Sequence, residues 1–271
     1  MAAPPRQRLE IIALTAPAYL WLTATVFLPL MAMVYFSFLT TVPVGGRTAS
    51  FTLAHYVSFF TKPVYWFNAW RSIELGIYVT AISLLVGYPA ALALSRHVRG
   101  RWREAVFLLI ILPFWSNALV RTFSWTMVLR EPLNLLFTYP AIVIGLVHAY
   151  LPYAILTSYI SLQAIDESLI EASRSLGATT LQTFLRVILP LSMPGVLAAI
   201  FLIFVPVIGS FMEPRILGGK DAIMLGPIIE GQFTAAFNWP LGAALSFMML
   251  AIVLLLLALA APLLKRQLGS V

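Results

Sequence analysis

Cysteine is missing from this 271-residue chain, which excludes disulfides and thiolate metal sites. Charge is nearly as scarce. Asp, Glu, Lys and Arg make up 10% of the residues against 61% hydrophobic ones, and the mean hydropathy is +0.94. A soluble domain cannot cover its surface with so little polarity. Histidine occurs only as His55, His97 and His148, on separate segments without metal-ligand spacing, and there is no H-E-x-x-H. The run "GGKD" at Gly218–Asp221 lacks the distal glycine and the Ser/Thr of a phosphate loop. No paired Asp or Ser–Lys arrangement stands inside the apolar runs. No catalytic centre, metal site or cofactor site is therefore expected in this chain.

What is abundant is apolar sequence in runs long enough to cross a bilayer, for which roughly 20 residues suffice. Six spans are predicted: Ile11–Thr40, Ser72–Leu94, Ala105–Leu129, Ala141–Gln163, Pro194–Met212 and Leu241–Leu264. The fold class is thus an all-α integral membrane protein, a single transmembrane domain over residues 1–271. Prolines at 17, 29, 89, 113, 152 and 206 fall inside these spans, where neighbouring helices or water must satisfy the freed backbone groups. Trp70, Trp102, Tyr139 and Trp239 lie near span ends, as interfacial aromatics do. The first span is too long for a signal-peptide core and no A-x-A-like site follows it closely, so it is expected to remain in place.

The formal net charge is +7. In a membrane protein this reflects basic cytoplasmic flanks rather than nucleic-acid binding. Arg6, Arg8, Arg96, Arg99, Arg101, Arg103, Arg174, Arg186, Lys265 and Arg266 are ten of the seventeen basic residues, and all flank the spans on one side. Arg47, Lys62, Arg130, Arg215 and Lys220 fall in the loops of the other side. The bias predicts that both termini are cytoplasmic, together with the segment 164–190 between spans four and five.

That segment is the polar exception in the chain: "EASRSLGATTLQTFLRVILP", Glu171–Pro190. Leu169, Ile170, Ala172, Ser173 and Leu176 give a short helix a small apolar face, with Glu171 and Arg174 sharing the other. Gly177 suits the left-handed residue that ends such a helix. Thr179 and Gln182 fit a capping box for a second helix, in which Leu181, Phe184, Leu185 and Ile188 recur at helical spacing. Pro190 is expected to close that helix and Pro194 to open span five. Periodicity by itself also allows an ordinary interfacial amphipathic loop.

The identities carry more. Glu171, Ala172, Gly177, Leu189 and Pro190 match the pattern E-A-A, three residues, G, nine residues, I-x-L-P, with Ser173 replacing the second alanine and Val187 the isoleucine. This resembles the signature loop of the permease subunits of bacterial ABC importers. "PFWSNALVRTFSW" (Pro113–Trp125), "HAYLPYAIL" (His148–Leu156), "PRILGG" (Pro214–Gly219) and "FNWPLGAALS" (Phe237–Ser246) look like the spermidine/putrescine-type branch. That branch also includes transporters of opines and related small cations. The resemblance implies that Glu171, Ala172, Ser173, Gly177, Leu189 and Pro190 belong to a coupling helix seated in a cytoplasmic ATPase. It further implies a second permease, an ATPase dimer that binds the ATP, and a periplasmic binding protein. One departure is "VLREPLNLLFTYP", which joins spans three and four with little spare length where members usually carry a longer external segment.

Ionisable groups inside a membrane are costly and mark functional positions. Arg121 in span three, Glu74 near the outer end of span two and Glu213 at the outer end of span five are therefore the pathway or gate candidates. Trp115, Phe123 and Trp125 add faces for cation–π contact, and Trp125 is counted with the pathway or gate candidates. The alternatives are a snorkelling Arg121 and solvated, interfacial glutamates. A proton- or sodium-coupled carrier acting by itself is the rival function, but no internal repeat supports it.

Overall fold

The computed structural model describes residues 5–43, 48–221 and 223–268. Arg47, and the ends of the expected single domain at 1–4 and 269–271, lie outside the described residues. Among the described residues the regular structure is helical, apart from an isolated bridge between Leu39 and Phe51. Five helices are long and apolar enough to cross a membrane, or six when a bent pair is taken as one span.

The contacts fall into two units. One comprises the chain up to Lys62 with Gly231–Met248. Here α1 (Pro5–Ser37) runs through Pro17 and Pro29, and α2 (Ala54–Thr61) folds back on its end. The Tyr56 hydroxyl donates to Ser37 Oγ at 2.8 Å, and His55 Nε2 lies 3.0 Å from the Leu39 carbonyl. His55 is thereby a backbone anchor.

The other unit, Pro63–Glu230 with the chain from Met249, holds both candidate sites. Its core lies among α3 (Pro63–Arg96), α6 (Tyr139–Gln163) and α9 (Leu189–Ile208). Small residues let these helices approach. A Cβ on Gly87 would stand 2.7 Å from Ala154 Cβ, and one on Gly195 would meet the Thr157 carbonyl. α3 and α6 run the same way: Tyr78 meets Tyr139 near one end and Arg96 meets Leu162 at the other. α9 runs against them, with Ser192 beside Tyr88 and Ile208 beside Gly76.

The third predicted span is not a straight helix. α4 (Arg101–Ile111) continues as a 3₁₀ turn, Leu112–Trp115, and α5 (Ala118–Arg130) then leaves at 98°. Pro113 removes a donor, and Asn117 starts the new helix by accepting the Leu119 N–H at 2.8 Å. The short link to α6 is satisfied locally and at a distance. The Leu135 and Leu136 amides donate to Leu129 O, and the Phe137 amide donates to Leu217 O.

Span five ends at Ile208 rather than Met212. Past Gly209 the chain enters α10 (Met212–Leu217), which packs on α5 and α6, and then α11 (Leu225–Thr234). α12 (Trp239–Leu268) follows as the last long apolar helix.

Candidate functional site

The polar segment folds as its local chemistry demands. α7 (Glu167–Ser175) starts on Asp166, whose carboxylate accepts the Ser168 N–H at 2.9 Å. That backbone bond holds the exposed Asp166 carboxyl below its usual range. α7 ends in a Schellman motif: the Gly177 amide donates to Arg174 O at 2.9 Å and the Ala178 amide to Ser173 O at 3.2 Å. Gly177 has φ +81° and open space where a Cβ would stand, so backbone conformation alone asks for glycine. α8 (Thr180–Thr183) opens on the predicted capping box, with Thr179 and Gln182 each accepting the other's amide.

Two expectations for the second helix are corrected. It does not close at Pro190. A continuous helix runs Thr180–Ile208, with Pro190 and Pro194 inside it. The accommodation is a π turn over Phe184–Ile188, in which the Leu189 amide donates back to Phe184 O. In a regular α-helix the Pro190 ring would strike the Arg186 carbonyl; a widened turn relieves that contact. The same turn breaks the helical register of the predicted apolar face. Leu181 and Leu185 are exposed, Phe184 and Ile188 half-buried, and the buried residue is Thr183. Its Oγ1 lies 3.1 Å from Ser173 Oγ, so the serine that departs from the family pattern ties the two short helices together.

The first helix also shows its apolar side outward. Ile170 is buried, whereas Leu169 and Ala172 are exposed and Leu176 is 88% exposed. Ala172, Ser173, Gly177 and Pro190 line one open cleft of about 750 Å³ that Leu169 and Leu176 border. Glu171 stands exposed outside that lining, and Leu189 is half-buried in α9. Among the described residues no ion pair joins Glu171 to Arg174. The segment is held to the bundle by Arg96 at the end of α3, which donates to Leu162 O at 3.3 Å and stands 3.5 Å from Glu167. Sequence reasoning counted Arg96 only as a basic flank.

The pathway candidates do not all converge. Arg121 and Trp125, one helical turn apart on α5, line a cavity of about 350 Å³ with His148 of α6. The Trp125 and His148 rings meet edge-on at 5.3 Å. The guanidinium of Arg121 donates to the Pro113 carbonyl at 3.3 Å, across the α4–α5 bend. Glu213 is not simply at the outer end of span five. In the first turn of α10 it is drawn along α6 to within electrostatic reach of Tyr150, which Arg121 and Tyr153 also reach. Glu74 lies apart, near Tyr139. Trp115 is 89% exposed and Phe123 is exposed. His148 and Tyr150 were missed; the available signal was an ionisable ring inside an apolar span.

With these features in place, comparison with known proteins decides the family. The sequence profile of the binding-protein-dependent transport system inner membrane components matches residues 83–268. The chain belongs to that family. This inner membrane component is 34% identical over 253 residues to the spermidine/putrescine transport system permease protein PotB of Haemophilus influenzae, covering 88% of each chain. It is equally identical to PotB of Escherichia coli K12, over 88% of this chain and 91% of the relative. The fold of this component is shared with a bacterial ABC transporter involved in the import of alginate, at a TM-score of 0.72 and 16% identity over 96% of each chain. The family assignment expected from the signature loop therefore holds, and with it a multi-pass inner-membrane protein that transports rather than catalyses.

Proposed function

We propose that this chain is the permease subunit of an ATP-driven importer for a small organic cation of polyamine type, spermidine- or putrescine-like. The observation that carries the proposal is the α7–α8 elbow. Four of its family-signature residues, Ala172, Ser173, Gly177 and Pro190, line an open cleft, rigidly capped, with apolar side chains that nothing among the described residues covers. A cytoplasmic ATPase dimer seats on that surface and carries the ATP. A second permease completes the translocation path, and a periplasmic binding protein selects the substrate. The substrate class rests on the 34% identity to the two PotB proteins. Glu213 with the Tyr150, Tyr153 and Trp125 rings is the group best suited to pass a cation, because a carboxylate in a poorly screened site attracts it and aromatic faces add to that.

The Arg/Lys asymmetry supports a cytoplasmic location for both termini. A reporter fused after Leu268 should be active there, and periplasmic activity would overturn the topology. The functional test is uptake of radiolabelled spermidine and putrescine by a deletion strain complemented with the operon. Uptake should require ATP, the ATPase and the binding protein. Uptake that persists without the ATPase and follows a proton or sodium gradient would make the chain a secondary carrier. ATP-dependent uptake of an opine or amino-acid-like solute instead would keep the permease and replace the substrate.

A further inference from the structure

The π turn at Phe184–Ile188 poses a mechanical problem. It sits between the elbow and the membrane-spanning part of α9, and it interrupts the regular α-helical ladder of the Thr180–Ile208 helix. Pro190 has no N–H to give Arg186 O, and the Leu189 N–H donates back five residues to Phe184 O. A push on the elbow would bend the helix there and be lost before it reached α9.

Tyr88 of α3 spans that turn. Its ring meets Phe184 edge-on at 6.2 Å, on the elbow side. Its hydroxyl lies 2.7 Å from Ser192 Oγ, on the α9 side. Ser192 is fully buried, and its hydroxyl also lies 3.1 Å from Leu189 O. Ser161 of α6 donates to the Ser192 carbonyl at 3.2 Å, tying the third core helix to the same residue. Two turns further along α3, Arg96 holds the other end of the elbow through Leu162 O and Glu167. One helix thus grips the elbow where it begins and where it ends.

We propose that Tyr88 is a positioning residue that splints the π turn to α3, so that displacement of the elbow moves α3 and α9 together. The proposal rests on the elbow being the coupling element of an ATP-driven importer. It adds the residue through which the movement enters the bundle and names α3 as its receiver.

The test uses the complete importer, with its second permease, ATPase and binding protein, reconstituted in proteoliposomes with spermidine as the probe. Tyr88→Phe, Ser192→Ala and the double variant are compared for spermidine transported per ATP hydrolysed. Amide hydrogen exchange of the peptide covering Phe184–Ser192 is followed in parallel. Each single variant should lower the coupling ratio by about three- to tenfold, the worth of one buried neutral hydrogen bond. The double variant should lower it no further than Ser192→Ala alone, because both singles break the Tyr88–Ser192 bond and Ser192→Ala also removes the bond to Leu189 O, and exchange at the π turn should rise in all three. A wild-type coupling ratio in Tyr88→Phe, or losses that add in the double variant, would overturn the splint. If wild type moves no spermidine but couples ATP to another solute, the substrate is wrong and the ratio is read on that solute. If wild type shows no ATP-coupled transport, the importer reading fails, and unchanged exchange in Tyr88→Phe then refutes the splint separately.

Discussion

The elbow at 164–190 and the polar cluster between α5, α6 and α10 are built in opposite ways. In the elbow, polar groups are spent on near neighbours in the chain. Asp166 caps Ser168, Gly177 and Ala178 close on Arg174 and Ser173, and Thr179 and Gln182 cap each other. Its apolar side chains, Leu169, Leu176, Leu181 and Leu185, are left facing outward. In the cluster the polar groups reach across elements. Arg121 spans the α4–α5 bend, Trp125 meets His148, and Glu213 is brought to Tyr150 by a six-residue helix. The elbow is a rigid shape offering apolar surface, suited to holding a partner. The cluster is an arrangement of charges and rings inside the bundle, suited to being rearranged. Damage to the first should separate the subunits. Damage to the second should slow transport through subunits that remain together.

The sharpest break in that contrast is Gly177→Val. A β-branched residue at φ +81° costs about 1–2 kcal/mol from the left-handed backbone alone and opposes the Schellman bonds. Copurification of the ATPase with membrane-extracted permease should be lost while the spans stay inserted. Because the position is sterically open, Gly177→Asn should restore much of it. Wild-type copurification and coupling in Gly177→Val would return the elbow to an interfacial loop. Leu176→Ser comes next. The side chain is free in this chain, so its loss should not alter folding, but burial of a leucine against a partner is worth roughly 1.5–3 kcal/mol. ATPase affinity should fall roughly ten- to hundredfold, as measured by titrating the ATPase onto permease held in nanodiscs.

Arg121→Ala should behave in the other way. It removes the charged donor that reaches Pro113 O across the bend, a carbonyl Ser116 still pairs, and should lower transport about tenfold, the worth of a hydrogen bond from a charged donor, with the assembled complex intact. Arg121→Lys should rescue poorly, since an ammonium lacks the planar fork. Normal uptake by Arg121→Ala would remove it from the pathway. The smallest effect is assigned to Glu171→Ala. A solvent-edge carboxylate contributes about 0.2–1 kcal/mol through one ion pair, so docking should weaken severalfold at most.

The elbow was legible in the sequence because caps and Schellman closures join residues within a few positions, and the residue types that make them are few. Asp166, Gly177, Thr179 and Gln182 can each be understood from their immediate surroundings. The failure within the same segment is equally local. Pro190 and Pro194 were expected to divide a loop from a span, but proline is a helix breaker only when nothing absorbs its clash, and here a π turn does. The pathway candidates were individually visible as ionisable residues in apolar runs, yet their grouping was not. Glu213 and Arg121 are far apart in the chain, and Glu74, an equally plausible candidate, was left out of the cluster.

By itself, the sequence determined that this is a multi-span helical membrane protein with a capped elbow bearing a permease signature. Hydrophobic run length and short-range hydrogen bonding decide those features, and both are properties of contiguous residues. Only the tertiary structure decided that span three breaks at 98°, that α10, which carries Glu213, packs on α5 and α6, and that Tyr88 bridges the π turn to Ser192. Those outcomes depend on which small residues let α3, α6 and α9 approach, and on which side chains that packing brings to distant backbone carbonyls.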